Sequence, residues 1–269
     1  MSEDEQKKKQ EFYERTMGQL DEMLAKFQDD PNDSMKLLQY AKGLVNTITI
    51  FGMSGDPEGI DMILTRFRKL VEEYGNVDEI QNQFATALAN SMSYLMKKQK
   101  FDTMYERLEE LRMFASAYPM NMSCQRSLAG GLVNSIINFG ERKMVNQVKQ
   151  LINELLVLSN AHKENHEIQL ALAKGLVNAI GYLSKNNEFQ PTLPLITDLM
   201  DLTEEYPDDE DFILQRANGI VTAINGLGGN KTYIKTVTEL EEELKRMAKA
   251  YPNHTGVQLR AKTKSLGRD

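Results

Sequence analysis

The sequence predicts an all-α fold, a right-handed α-α superhelix or α-solenoid built from six two-helix repeats of 44 residues. Three observations predict it: an internal repeat with this period, apolar residues at helical spacing, and proline or tyrosine at regular turns. Two helices cannot enclose their own apolar faces, whereas stacked pairs bury a continuous core. We therefore expect residues 1–269 to form a single domain. The repeats span approximately 8–52, 53–98, 99–140, 141–185, 186–229 and 230–269.

An alanine in the second helix of each unit sets the period. In the first five units it is followed three and seven residues later by large apolar residues, as Ala41 is by Leu44 and Ile48, which is helical spacing. The alanines are Ala41, Ala85, Ala129, Ala173, Ala217 and Ala261. A second apolar column, in the first helix of each unit, consists of Leu20, Leu64, Leu108, Ile152, Ile196 and Leu240. Each repeat thus contains two helices, which we name A and B.

Turn residues separate helix A from helix B. Proline lacks the amide that a continuing helix needs, so helix A ends at segments such as Tyr118-Pro119 and Tyr206-Pro207. A short polar residue follows each of five turns and is expected to cap helix B: Asp33, Asp78, Asn121, Asn165 and Asp208. The predicted A helices are 10–28, 57–74, 101–118, 142–160, 189–206 and 232–250. The predicted B helices are 33–52, 77–98, 121–139, 165–184, 209–226 and 254–266.

A stripe on helix B, opposite the apolar columns, is the predicted functional surface. At 100° per residue, Gly43 and Asn46 fall on the far side of the helix from Ala41. Carboxamides both donate and accept hydrogen bonds, as the backbone of an extended peptide does, and small neighbours let a ligand approach. The candidate peptide-binding residues are Asn46, Asn90, Asn134, Asn178, Gln39, Gln83, Tyr94 and Tyr182. The alternative is structural: glycine and alanine allow close packing of B helices, and asparagine ties one helix to the next.

A family resemblance agrees with this interpretation. A period of 44 falls in the 40 to 47 range of armadillo and HEAT repeats and not near the 34 of tetratricopeptide repeats. Glu167-Ile168-Gln169, followed by Ala173, Leu176 and Asn178, resembles the last helix of an armadillo repeat. The resemblance implies that the four asparagines line a concave groove and hold the backbone of an extended peptide.

Composition and charge narrow the classes of partner. The formal net charge of -7 gives no positive field to attract nucleic acid. The charged N-terminus lacks an apolar signal core, and no apolar run reaches membrane-spanning length, so we expect no membrane partner and a cytoplasmic location. The single cysteine, Cys124, allows no intrachain disulfide.

We find no constellation typical of catalysis. His162 and His166 stand four residues apart but have no further metal ligand nearby in sequence, and no base accompanies Cys124. We therefore expect no catalytic residue, no metal and no cofactor. The sequence favours a non-enzymatic scaffold that binds a partner protein or an extended peptide. The alternatives are a structural subunit of a larger complex and, further from the pattern, a HEAT-like nucleic-acid-binding protein or enzyme.

Overall fold

The computed structural model of the chain describes residues 3–97 and 100–265. Within those residues the regular secondary structure is entirely helical. All twelve predicted helices are present there, with ends within a few residues of the predicted ones except for an earlier start of the first; positions 98 and 266, the predicted ends of two B helices, lie outside the described residues. The A helices are α1 (Glu3–Gln28), α3 (Pro57–Tyr74), α5 (Phe101–Ala117), α7 (Val145–Ala161), α9 (Phe189–Glu204) and α11 (Ile234–Ala250). The B helices are α2 (Ser34–Ser54), α4 (Asp78–Lys97), α6 (Met122–Glu141), α8 (His166–Lys185), α10 (Glu210–Leu227) and α12 (Thr255–Ser265).

The chain divides into two compact units, Met1–Gly131 and Leu132–Asp269. In the first unit α2 packs against α1, α3 and α4, and α4 also packs against α3 and α5. In the second unit α8 packs against α7, α9 and α10, and α10 also packs against α9, α11 and α12. Helices therefore pack against their neighbours in sequence, and within each unit a B helix also packs against a following B helix. The expectation of a single domain stays a prediction.

The repeated apolar columns form the core of each unit. The first five alanines of the B-helix column are fully buried, and Ala261 in the last helix is half-buried. The leucine and isoleucine column of the A helices is buried at all six positions. The alanine column thus marks the buried face of the B helices, and the leucine and isoleucine column marks that of the A helices. The 44-residue period therefore identifies the faces that pack in each pair.

The helix caps confirm three of the five predicted positions. The side chains of Asp33, Asn121 and Asn165 accept hydrogen bonds from the opening amides of α2, α6 and α8. Asp78 is instead the first residue of α4. The prediction for Asp208 is wrong, because this residue lies within the turn. Asp209 has the extended backbone of a cap (φ -90°, ψ 115°) and accepts from the amides of the first turn of α10.

A glutamine near the start of four B helices closes the turn behind it. In α6, the Nε2 of buried Gln125 donates to the carbonyls of Ala115 (2.9 Å) and Tyr118 (3.3 Å). Gln169 and Gln258 make the equivalent pairs of bonds at the ends of α7 and α11, whereas Gln81 donates one bond, to the carbonyl of Gly75 just after α3. The last carbonyls of a helix have no partner within it, so these amides satisfy acceptors that packing hides from water. We name the four residues the glutamine clamp.

Candidate functional site

The predicted asparagine and glutamine residues lie on the solvent-facing side of the B helices. On α2, Gln39 and Asn46 are exposed; on α4, which packs against α2, Gln83 and Asn90 are half-buried. In the part of the chain that the structure describes, these four side chains form no hydrogen bond. Their amides are therefore available to a ligand. We name this surface of α2 and α4 the amide face.

Small polar residues complete the amide face. Thr49 on α2 and Thr86 on α4 are half-buried beside the amides, and their hydroxyls donate to carbonyls of their own helices. Lys42 adds one exposed charge in the middle of α2, and Met35 and Met53 are exposed near its two ends. The centre of the face thus offers mainly neutral donors and acceptors.

In the second unit the corresponding asparagine is partly engaged. Asn178 on α8 is half-buried, and its Nδ2 donates to the carbonyl of Lys174 one turn earlier (2.8 Å). This bond leaves the carboxamide oxygen as an acceptor. Asn134, on α6, is also half-buried. The four asparagines of the repeat therefore all reach the surface to some extent, and Asn46 is the most exposed of them.

The small residues of the predicted stripe do not lie beside the asparagines on this surface. Gly43 is buried, and a side chain at this position would meet Met23 (2.7 Å) and Leu20 (3.3 Å) of α1. The equivalent glycines face A-helix leucines: Gly131 faces Leu111, Gly175 faces Leu155 and Gly219 faces Leu199. The prediction that these small residues let a ligand approach the asparagines is wrong for the glycines, because A-helix side chains cover them. Helices α2 and α8 are each covered by their own A helix, by the following A helix and by the following B helix, so only a narrow sector stays exposed.

The two candidate tyrosines lie between successive B helices. The ring of Tyr94 packs against Gly52 of α2, and the ring of Tyr182 packs against Gly140 of α6. Both tyrosines are half-buried, and burial together with the charge of Glu141 raises the pKa of Tyr182. Each ring thus fills the space that a glycine leaves on the preceding helix, while part of it remains at the surface.

Of the two neighbouring histidines, His166 makes side-chain contacts between turns. His166 Nε2 lies 2.7 Å from Oδ2 of Asp209, and its imidazole packs edge-on against Tyr206 and Phe212. This contact links the start of α8 to the start of α10. Across the described residues, no three histidine, cysteine or acidic side chains are grouped as a metal site would require.

The Asp209 carboxylate makes stability depend on pH. Its hydrogen bond with His166, followed by those from the Phe212 and Asp211 amides, lowers the pKa of Asp209. Its contribution is therefore present above the pKa of the unfolded chain and is lost as pH falls through the lower folded value. We expect Asp209→Asn, which keeps a capping side chain, to reduce the free energy of unfolding by about 0.5 kcal/mol at pH 6. Urea unfolding at pH 6 and pH 3 tests this, with Asp208→Asn as the control. The difference in the free energy of unfolding between the parent and Asp209→Asn should shrink at pH 3, and the same difference at both pH values would contradict the expectation.

Cys124 is a buried packing residue. Its side chain is fully buried in α6, and burial, with a smaller effect of Asp78, raises the pKa of the thiol to about 12. The helix start does not lower this pKa, because desolvation of the thiolate dominates.

We expect the native protein to resist labelling by a disulfide reagent such as Ellman's reagent at pH 8, because the thiol is covered and protonated. One equivalent should react at once in denaturant, where the cysteine is exposed. Absorbance after mixing measures both, with glutathione as the reactive control. Rapid stoichiometric labelling of the folded chain would show that Cys124 is accessible.

No protein family, curated protein or solved structure matches this chain. In the part of the chain that the structure describes, no helix has both the length and the hydropathy of a transmembrane segment.

Proposed function

We propose that the protein is a non-enzymatic scaffold that binds an extended segment of a partner protein along the amide face. In this proposal the six repeats stack as an armadillo/HEAT-like right-handed superhelix, the B helices line its concave side, and the protein acts in the cytoplasm. No cofactor takes part. The observation that carries the proposal is the pair Asn46 and Asn90 on two B helices in direct contact, whose carboxamides form no hydrogen bond with any residue that the structure describes.

The chemistry of the face matches a peptide backbone. An extended strand presents an amide hydrogen and a carbonyl at each residue, and a carboxamide pairs with both. Adjacent helices pack about 8 to 10 Å apart, and an extended chain rises roughly 3.3 Å per residue. One asparagine per B helix would therefore contact the backbone at every second or third ligand residue. Because backbone recognition is independent of side chains, the face suits segments of varied sequence.

The test is selection of peptides from a random-sequence phage library on the full chain, followed by fluorescence anisotropy with the best synthetic peptide. We expect saturable binding that the double substitution Asn46→Ala and Asn90→Ala weakens roughly 30-fold, since each lost hydrogen bond contributes about 1 kcal/mol.

The matched control replaces exposed amides that lie off this face. Gln19 on α1 and Asn76 in the turn after α3 are exposed. Gln19→Ala with Asn76→Ala should bind the peptide as the parent does. Failure to select any peptide, or the same affinity in both double variants, would refute the proposal.

A further inference from the structure

A cavity of about 470 Å³ opens between the C-terminal ends of α1 and α3, beside α2. Its apolar wall includes Phe27, Tyr40, Leu70 and Tyr74. Phe27 stacks on Tyr40 (ring centroids 6.4 Å apart) and packs edge-on against Tyr74 (5.5 Å). Phe27 and Tyr40 are buried, so this part of the wall belongs to the core. This volume lies in the range of sites that take small organic molecules.

In the next repeat, an aromatic side chain fills the equivalent space. The equivalents of Tyr40 and Tyr74 are Phe84 and Tyr118, and they are bridged by Phe114, with ring centroids 5.0 Å and 4.8 Å away. Phe114 occupies the sequence position of Leu70, 44 residues later. Between Tyr40 and Tyr74 the bridging ring is that of Phe27, which comes from α1. The smaller Leu70 leaves the α3 side of the space open.

The charges at the cavity indicate the ligand's polarity. Arg66 lies partly buried in the lining, and its Nη1 donates to Oδ1 of Asp21 (2.6 Å). Within the described residues its guanidinium makes no other hydrogen bond, so further N–H groups can pair with a ligand. Lys69 is exposed beside it and forms no ion pair within the described residues. Glu73, the acid of the lining, is exposed one turn further along. Arg66 and Lys69 thus precede Glu73 along α3, and Arg66 is the one that is partly buried in the lining. The cavity therefore favours an anionic group near Arg66 and Lys69.

We propose that this cavity binds a small organic anion with a ring-sized apolar body. The body lies against Phe27, Tyr74 and Leu70, and the anionic group pairs with Arg66 and Lys69. The site uses none of the amide-face residues, so it stands or falls independently of peptide binding.

The probe is 8-anilinonaphthalene-1-sulfonate, an aromatic sulfonate whose fluorescence rises in apolar surroundings, titrated into the full chain. We expect one saturable site. Leu70→Phe supplies the ring that Phe114 supplies one repeat later and should weaken binding at least tenfold. Leu158→Phe, at the equivalent position of α7, should leave binding unchanged.

A second pair of variants tests the charge. Lys69→Gln should weaken sulfonate binding about threefold, the effect of a partly exposed ion pair. It should leave the neutral probe N-phenyl-1-naphthylamine unaffected. Lys245→Gln, at the equivalent exposed position of α11, is the control.

Far-UV circular dichroism must show that each variant is folded, because partly unfolded chains also bind these dyes. Should Leu70→Phe not fold, Leu24→Trp fills the cavity from α1 and serves the same purpose. The proposal is overturned if the folded parent shows no saturable site, if filling the cavity leaves affinity unchanged, or if Lys69→Gln weakens both probes equally.

Discussion

Gly140→Ala is expected to destabilise the protein by about 2 kcal/mol, although alanine favours helix more than glycine does. A methyl group on Gly140 would overlap the ring of Tyr182 near its Cγ atom, which rotation of the ring about the Cβ–Cγ bond does not move. Relief therefore requires α6 and α8 to separate or the tyrosine to leave its position. The same change at Gly130, also within α6, meets no atom within 4 Å.

Gly130→Ala should accordingly stabilise the protein by about 0.5 to 1 kcal/mol. Urea unfolding followed by circular dichroism measures both variants. Repeating Gly140→Ala in a Tyr182→Ala background should remove most of its cost, because the ring is no longer there. If Gly140→Ala were as stabilising as Gly130→Ala, the packing of the tyrosine into the glycine site would be incorrect.

Gln169→Leu is expected to reduce the free energy of unfolding by about 3 kcal/mol. Gln169 is buried, donates to the carbonyls of Ser159 (3.0 Å) and His162 (3.1 Å), and accepts from the Ser159 hydroxyl (2.7 Å). Leucine has a similar size but removes all three bonds: the two carbonyls keep one backbone donor each, from His162 and Asn165, and the buried Ser159 hydroxyl loses its acceptor. Buried polar groups without partners cost more than the net worth of the hydrogen bond itself.

Gln150→Leu, on the exposed side of α7, is the matched control and should change stability by no more than about 0.5 kcal/mol. The difference between the two glutamines is read from unfolding curves of the two variants. Equal effects would mean that the glutamine clamp adds little beyond its apolar contacts.

The helices and the core could be predicted because both depend on the period. Ala41 and its first four equivalents are all fully buried, so repetition of the residue type indicates shared burial. The solvent-exposed side of the B helices was harder to predict. Helical spacing gives the angle of each residue around its own helix axis, but it does not tell how many neighbouring helices cover that helix. Gly43 lies 200° from Ala41 by that reckoning, yet α1 covers it.

The glutamines of the clamp recur in the sequence, but their role can be interpreted only once the geometry of the turn between helix A and helix B is known. In the last repeat, Tyr251-Pro252 and Gln258 are both displaced by one residue from the 44-residue period, a joint shift that signals contact between them. Gln169 belongs to the segment that resembles an armadillo helix, and its side chain is structural. The cavity beside Leu70 could not be foreseen, because it depends on which helix contributes the bridging ring.

Peptide capture by the amide face is tested most directly by NMR of protein labelled with ¹⁵N only at asparagine, titrated with the selected peptide. The side-chain amide signals of Asn46 and Asn90, assigned from their alanine variants, should shift with a single dissociation constant, while those of Asn76 and of Asn153, exposed on α7, stay in place. Shifts at Asn76 or Asn153 with none at Asn46 and Asn90 would place the peptide elsewhere and contradict the proposed function.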